Sequence, residues 1–151
     1  MPYAHVNGIN LHYDIYGQGQ PLVFINGLGQ PSIAWEPELI QAMAQTHQVV
    51  TYDNRGTGLS DKPDEAYSIA QFASDAIALL DVLNIPRAHM FGVSMGGMIA
   101  QELGAHYPQR VASLILGCTT PGGKNAVAAP PESMKMLAGR ASMTPAEAGR
   151  E

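Results

Sequence analysis

The sequence is poor in charge, in cysteine and in long apolar runs, and each shortage removes a class of protein. Charged residues make up 14% of the 151 residues and the formal net charge is −5. Lys and Arg are scattered and never form a run, so the chain has neither the basic footprint of a nucleic-acid partner nor a polybasic patch for a membrane surface. The single cysteine, Cys118, excludes an internal disulfide and fits a reducing compartment. No apolar run approaches the roughly 20 residues of a membrane-spanning helix. The opening stretch, residues 1–8, has no basic n-region and no apolar h-region. The sequence therefore predicts no signal peptide and a soluble, cytoplasmic protein. No Cys/His spacing suits a metal, and no metal or organic cofactor is expected. Internal repeats are absent too. What is abundant is apolar side chain, at 46%, enough for a core in a domain of this length.

That apolar content is patterned. Tyr3 to Val6 and Leu11 to Tyr16 read as two strands joined at the hairpin signal Asn7-Gly8. Pro21 to Ile25 is continuously apolar, as in a strand covered on both faces. Ser32 is placed to cap a helix running to about Gln45, and Gln48 to Tyr52 is the next strand. Ile69, Phe72, Ala73, Ala76, Leu79, Leu80 and Leu83 recur with a helical period between Ser68 and Leu83. Ala88 to Val93 reads as a strand, Met95 to Tyr107 as a helix stopped by Pro108, and Val111 to Leu116 as a strand. Strand, loop and helix in alternation predict an α/β fold: a mostly parallel sheet with helices on both faces. After Cys118 the composition shifts to Gly, Pro, Ala and Thr. Residues 1–118 are expected to form a sheet core and residues 119–151 the beginning of a separate cap layer. In that layer Met134 to Gly139 and Pro145 to Glu151 read as helical pieces. Thr144 is placed as an N-cap, with Pro145 and Glu147 completing a capping box.

The chemistry concentrates at Gly92-Val93-Ser94-Met95-Gly96-Gly97, a G-x-S-x-G pattern between a strand and a helix. That context marks Ser94 as the candidate nucleophile, lifted out of the sheet on a sharp turn. A turn this tight needs small neighbours, here Gly92 and Gly96, while Gly97 lets the helix pack close to the sheet. The helix N-terminus favours negative charge on a reacting carbonyl, and the Met95 backbone N–H is one candidate oxyanion donor. The second belongs to the loop Asn26-Gly27-Leu28-Gly29: the Leu28 N–H, with Gly27 and Gly29 letting backbone approach a ligand. The alternative readings are a serine that merely caps a helix and a plain glycine turn. The segment Asp53 to Ser60 lacks the G-K-[ST] ending of a phosphate loop. Asp53 and Arg55 are expected to brace it by hydrogen bonds and an ion pair, not to react.

Together the three loops resemble the α/β-hydrolase superfamily, over nearly the whole chain from Tyr3 past Cys118. Asn26-Gly27-Leu28-Gly29, Asp53-Asn54-Arg55-Gly56-Thr57-Gly58-Leu59-Ser60 and Gly92-Val93-Ser94-Met95-Gly96-Gly97 are similar to the branch of 3-oxoadipate enol-lactonases, small esterases and cofactor-free haloperoxidases. Asn26 departs from the histidine that many relatives carry before the glycine. The resemblance implies hydrolysis of a carboxylic ester or lactone by acyl transfer, with no cofactor and a small-molecule substrate. It also implies a chain order of serine, acid, histidine.

The later members of that order are missing. After Ser94 the only acids are Glu102, Glu132, Glu147 and Glu151, and the only histidine is His106. At about 1.5 Å per residue His106 lies roughly 18 Å along its helix from Ser94. His89 lies roughly 16 Å away, at the far end of the preceding strand. His5 and His12 belong to the hairpin, and His47 precedes a strand at the wrong end. The expectation is that the chain is the N-terminal part of a longer hydrolase, with the acid and histidine beyond residue 151, and that alone it is inactive or very weak. Two other readings stand beside this one: an inactive fragment or binding protein, and a ligand receptor on the same fold. Peroxide-dependent perhydrolase chemistry is a variant within enzymes. Residues 111–116, uncharged and apolar, are expected to form an exposed edge that favours self-association. Cys118 is expected to be buried packing, and Met134, Met136 and Met143 core residues of a cap.

Overall fold

Residues 2–124, 126, 127 and 130–141 are described by the computed structural model of the chain. Six strands form one sheet: β1 (Tyr3–Val6), β2 (Ile9–Tyr16), β3 (Gln20–Ile25), β4 (His47–Tyr52), β5 (Ala88–Val93) and β6 (Val111–Gly117). Their order is β1-β2-β4-β3-β5-β6. The β1–β2 and β2–β4 pairs are antiparallel, and β4–β3, β3–β5 and β5–β6 are parallel. The hairpin turns where Asn7 and Gly8 both take positive φ, 47° and 80°, the geometry that matches the twist of the flanking strands.

Helices cover both faces. Helices α2 (Ile69–Val82) and α3 (Met95–His106) pack Phe72, Ala76, Leu79, Leu80, Ile99 and Leu103 against Val23, Ile25, Val50 and Met90. On the other face α1 (Pro37–Ala44) sets Ile40 over Leu22, Phe24 and Val49. An edge-to-face cluster joins Phe24 to Trp35 and to Phe91, each with centroids 4.9 Å apart. The chain runs from β3 to β4 on one side and then back to β5 on the other. The loops after β3 and β5 therefore part at a topological switch point, where open α/β sheets bind ligands.

The single helix expected from Ser32 to Gln45 is two pieces. A 3-10 turn spans Ser32–Ala34, and α1 begins only at Pro37. Pro37 drives Glu36 to ψ 124°, out of the helical region, and then serves as the first helical residue. Ser32 makes no side-chain cap bond, and its backbone N–H is bonded instead to the Asp53 carboxylate.

Two compact units divide the chain, Met1–Pro121 and Gly122–Glu151. The first holds the sheet and α1–α3. The second contains α4 (Pro131–Ala141). Met134 and Met136 are exposed, which corrects their expected place in a core. Met143 and the capping pattern Thr144, Pro145 and Glu147 lie outside the described residues. Cys118 is also exposed and not buried. The chain turns sharply there, at φ 40°, so the thiol leaves the line of β6. Beyond Val111, β6 is a weakly covered edge, with Leu114, Ile115 and Leu116 all exposed.

Candidate active site

The bend after β5 sets the geometry of the site. Ser94 has φ 53° and ψ −120°, a conformation rare for a side-chain-bearing residue and costing on the order of 1–3 kcal/mol. Its neighbours explain how the chain tolerates it. A Cβ on Gly92 would strike the Gly96 carbonyl, and one on Gly96 would strike the Ile25 and Asn26 carbonyls at the end of β3. Any side chain at either position would therefore open the turn. Gly97 faces Thr119, whose side chain occupies the space a Cβ would need.

Ser94 stands at the N-cap of α3, but its side chain makes no cap bond. Its hydroxyl has no hydrogen bond to any described residue, and the residue is exposed. The backbone, by contrast, is fully engaged. Its N–H donates to the Gly117 carbonyl at 2.9 Å. Its own carbonyl accepts from the Gly97 N–H at 3.0 Å, the Met98 N–H at 3.3 Å and the Thr119 hydroxyl at 2.6 Å. Ser94 thus has a held backbone and an uncommitted side chain.

The loop after β3 lies against this bend. Gly27 is buried, and a Cβ added there would sit 3.3 Å from Ser94 Cβ. The Gln30 N–H closes the turn onto the Gly27 carbonyl at 3.3 Å. Asn26 is buried, and its amide donates to the Gln30 carbonyl at 3.1 Å. Asn26 therefore ties the two ends of its own loop together. Gly29 takes φ 68° in open space, and Leu28 presents an exposed side chain. Neither the Leu28 nor the Met95 backbone N–H is taken up by a hydrogen bond among the described residues. The latter is one of the donors that every helix N-terminus leaves unpaired.

Asp53 and Arg55 are taken up by partners other than Ser94. Asp53 accepts from the Ser32 N–H at 2.5 Å and the Leu59 N–H at 2.8 Å, and it lies 3.3 Å from His12 Nδ1. Arg55 is buried and donates to both oxygens of Asp75, at 2.6 and 2.8 Å, and to Glu65 at 2.6 Å. The bonded Asp75 carboxylate raises the Arg55 pKa, against the opposing effect of burial. The ion pair at this loop therefore runs from Arg55 to α2 and not to Asp53.

Four of the five histidines have partners elsewhere. His5 meets Asn10, His47 meets Thr46, and His106 pairs with Glu102. His89 lies between Ser113 and Gln20. His12 sits at the carboxyl edge of the sheet because β2 runs antiparallel to β4, a placement the hairpin reading did not supply. Two strands separate β2 from β5, so His12 is roughly 14 Å from the Ser94 strand at about 4.8 Å per strand spacing. Among the described residues no three His, Cys, Asp or Glu side chains gather as a metal site, and no helix is long and apolar enough to cross a membrane.

A strained, exposed serine between a parallel strand and a helix, backed by a glycine loop at a switch point, is the arrangement of an α/β hydrolase. Comparison with known proteins agrees. Residues 20–147 match the alpha/beta hydrolase fold family. RutD of Azorhizobium caulinodans, named for carbamate hydrolysis, is 40% identical over 116 residues, 77% of this chain and 43% of its own length. The 3-oxoadipate enol-lactonase 2 of Acinetobacter baylyi is 39% identical over 113 residues, 74% of this chain and 42% of its own. The crystal structure of the enol-lactonase from Burkholderia xenovorans superposes with a TM-score of 0.76 at 37% identity, covering 79% of this chain and 47% of that one. The chain belongs to the alpha/beta hydrolase fold family. It spans less than half the length of these relatives.

Proposed function

We propose that Ser94 is the nucleophile of a hydrolase that cleaves a carboxylic ester or lactone by acyl transfer. The observation that carries this reading is the pairing of a strained, fixed backbone with an exposed hydroxyl not used in capping. Folds keep such strain where a side chain must be aimed. Ser94 Oγ attacks the acyl carbon, and the carbonyl oxygen becomes an oxyanion facing the N–H groups of Met95 and Leu28. The alcohol or ring oxygen leaves with a proton, and water then releases the acid from the acyl-enzyme. The relatives' names, an enzyme of carbamate hydrolysis and two enol-lactonases, support a hydrolytic reading, and the two enol-lactonases favour an ester-type bond. In this reading the acid and the histidine that activate Ser94 come from polypeptide beyond residue 151. The single exposed thiol of Cys118 is consistent with a reducing, cytoplasmic setting.

Covalent capture tests the assignment. An alkyl fluorophosphonate offered to the complete protein should form a Ser94 Oγ–phosphorus bond with loss of fluoride. Mass spectrometry should then place one adduct on the peptide that contains Ser94. An adduct on another residue, or none under conditions that label a known serine hydrolase, would refute the reading.

We further propose that the 151-residue chain associates with itself through β6. Leu114, Ile115 and Leu116 offer an apolar edge with no charge to discourage pairing. Light scattering at rising concentration should give a mass above the 16.0 kDa of a single chain, and Ile115→Lys should return it toward that value. A wild-type chain that stays monomeric at high concentration would remove the proposal.

A further inference from the structure

We propose that Thr119 is a positioning residue, which aims the oxyanion-binding N–H of Met95 by holding the Ser94 carbonyl. The inference rests on the reading of Ser94 as nucleophile and adds to it a residue whose position in an irregular tail gave no hint of a role. The peptide between Ser94 and Met95 is planar and trans, so its C=O and N–H point in opposite directions. Whatever fixes that carbonyl also fixes the N–H. Rotating the peptide would swing the donor off the oxyanion position, where geometry within a few tenths of an ångström decides its value.

Three donors meet the Ser94 carbonyl. Two are the helical N–H groups of Gly97 and Met98, at 3.0 and 3.3 Å. The third and shortest is the Thr119 hydroxyl at 2.6 Å, which arrives from outside the helix. Its approach is built in at several points. The Gly117 carbonyl receives the Ser94 N–H, so residues 117–119 hold both backbone groups of Ser94. The turn at Cys118, φ 40°, brings the chain back over the bend. The Thr119 side chain then lies on Gly97, where a Cβ would be 2.5–2.7 Å from its Cβ, Oγ1 and Cγ2. The Gln101 amide donates to both the Gly97 and Thr120 carbonyls at 3.1 Å, fastening this segment to α3. Helical bonds alone allow the first peptide of a helix to fray. A hydroxyl that arrives from the end of β6 adds a tie from outside the helical ladder, and so holds this peptide to the sheet as well as to α3.

The test compares Thr119→Val, which keeps the shape and removes the donor, with Thr119→Ser, which keeps the donor. Complete protein is assayed on a p-nitrophenyl ester, with phenylboronic acid as a tetrahedral mimic and Ser94→Ala in parallel. Loss of an entire oxyanion donor costs about 10²–10³ in kcat. Loosening one donor while two helical bonds remain should lower kcat about tenfold. KM should stay within twofold, the boronate inhibition constant should rise by a similar factor to the fall in kcat, and Thr119→Ser should recover most of the rate. Thr119→Val with kcat within twofold of wild type, beside an inactive Ser94→Ala, would overturn the Thr119 role and leave Ser94 standing. Thr119→Ser as slow as Thr119→Val would overturn it too, since the hydroxyl would then not be the active element. Full activity in Ser94→Ala would remove the nucleophile and this inference together. Where Thr119→Val lowers the melting temperature, the serine variant still decides, because it retains the bond.

Discussion

Ser94→Ala in the complete protein is expected to lower kcat for a short aryl ester by about 10⁴-fold or more, with the fold intact. A serine nucleophile and its base act as a unit, so removing the hydroxyl leaves only binding and oxyanion stabilisation, a residual of about 10³–10⁴ over water. Stability separates this outcome from simple unfolding. Alanine keeps a Cβ at φ 53° and therefore keeps the strain. No hydrogen bond to a described residue is lost, because the Ser94 hydroxyl makes none. The melting temperature should stay within about 2 °C, since a surface change without lost contacts is worth about 0.5 kcal/mol or less. Ser94→Gly should be equally inactive but more stable by about 1 kcal/mol, because glycine removes the strain while its added unfolded-state freedom offsets part of the gain. Activity is followed by p-nitrophenolate release and stability by thermal melts. An alanine variant with more than a tenth of wild-type kcat would end the nucleophile assignment.

The sheet was legible because its strands announce themselves. The apolar blocks Pro21 to Ile25, Ala88 to Val93 and Val111 to Leu116 are each short and bounded by loop residues, and each sits within one residue of β3, β5 or β6. The bend at Ser94 was legible for a different reason. Its glycines fall where a Cβ would meet another backbone, so a steric demand is written directly as residue type. The split, at residues 35–36, of the helix expected from Ser32 to Gln45 was also within reach. Pro37 was visible, and a proline five residues after a supposed cap restarts a helix more readily than it continues one.

Contacts between distant loops were harder to read. Nothing local to Thr119 says that it meets the Ser94 carbonyl, because that contact depends on the chain turning back at Cys118. The exposure of Cys118 follows from the same turn. His12 seemed remote until the antiparallel pairing of β2 with β4 carried it to the carboxyl edge. A signal for the Arg55 partner did exist. Asp75 follows Phe72 by three residues and precedes Leu79 by four, so it falls on the buried stripe of α2. A carboxylate in that stripe needs a cation, and Arg55, the one cation in the segment from Asp53 to Ser60, is the matching group.

That pair carries the largest expected effect on stability. Arg55→Met should destabilise the fold by about 3–5 kcal/mol, because it leaves Asp75 buried without its cation. Both side chains are 2% exposed, and the guanidinium grips both carboxylate oxygens. Asn7 reaches Asp75 Oδ1 at 2.8 Å, but one neutral amide cannot replace two charged donors. The contribution of Glu65 is small by comparison, since its side chain is 46% exposed and water screens the pair. Glu65→Gln should therefore cost about 1 kcal/mol or less. The double variant Arg55→Met with Asp75→Leu removes both charges and fills the space with apolar atoms. It should recover most of the loss, because the desolvation of two ions offsets much of their attraction. Urea unfolding of the single and double variants reads these values from the midpoint shift at constant slope. A single variant within about 1 kcal/mol of wild type would mean that Asp75 finds other partners. A double variant no better than the single would show that the loop needs the guanidinium itself, which anchors residues 53–60 to α2.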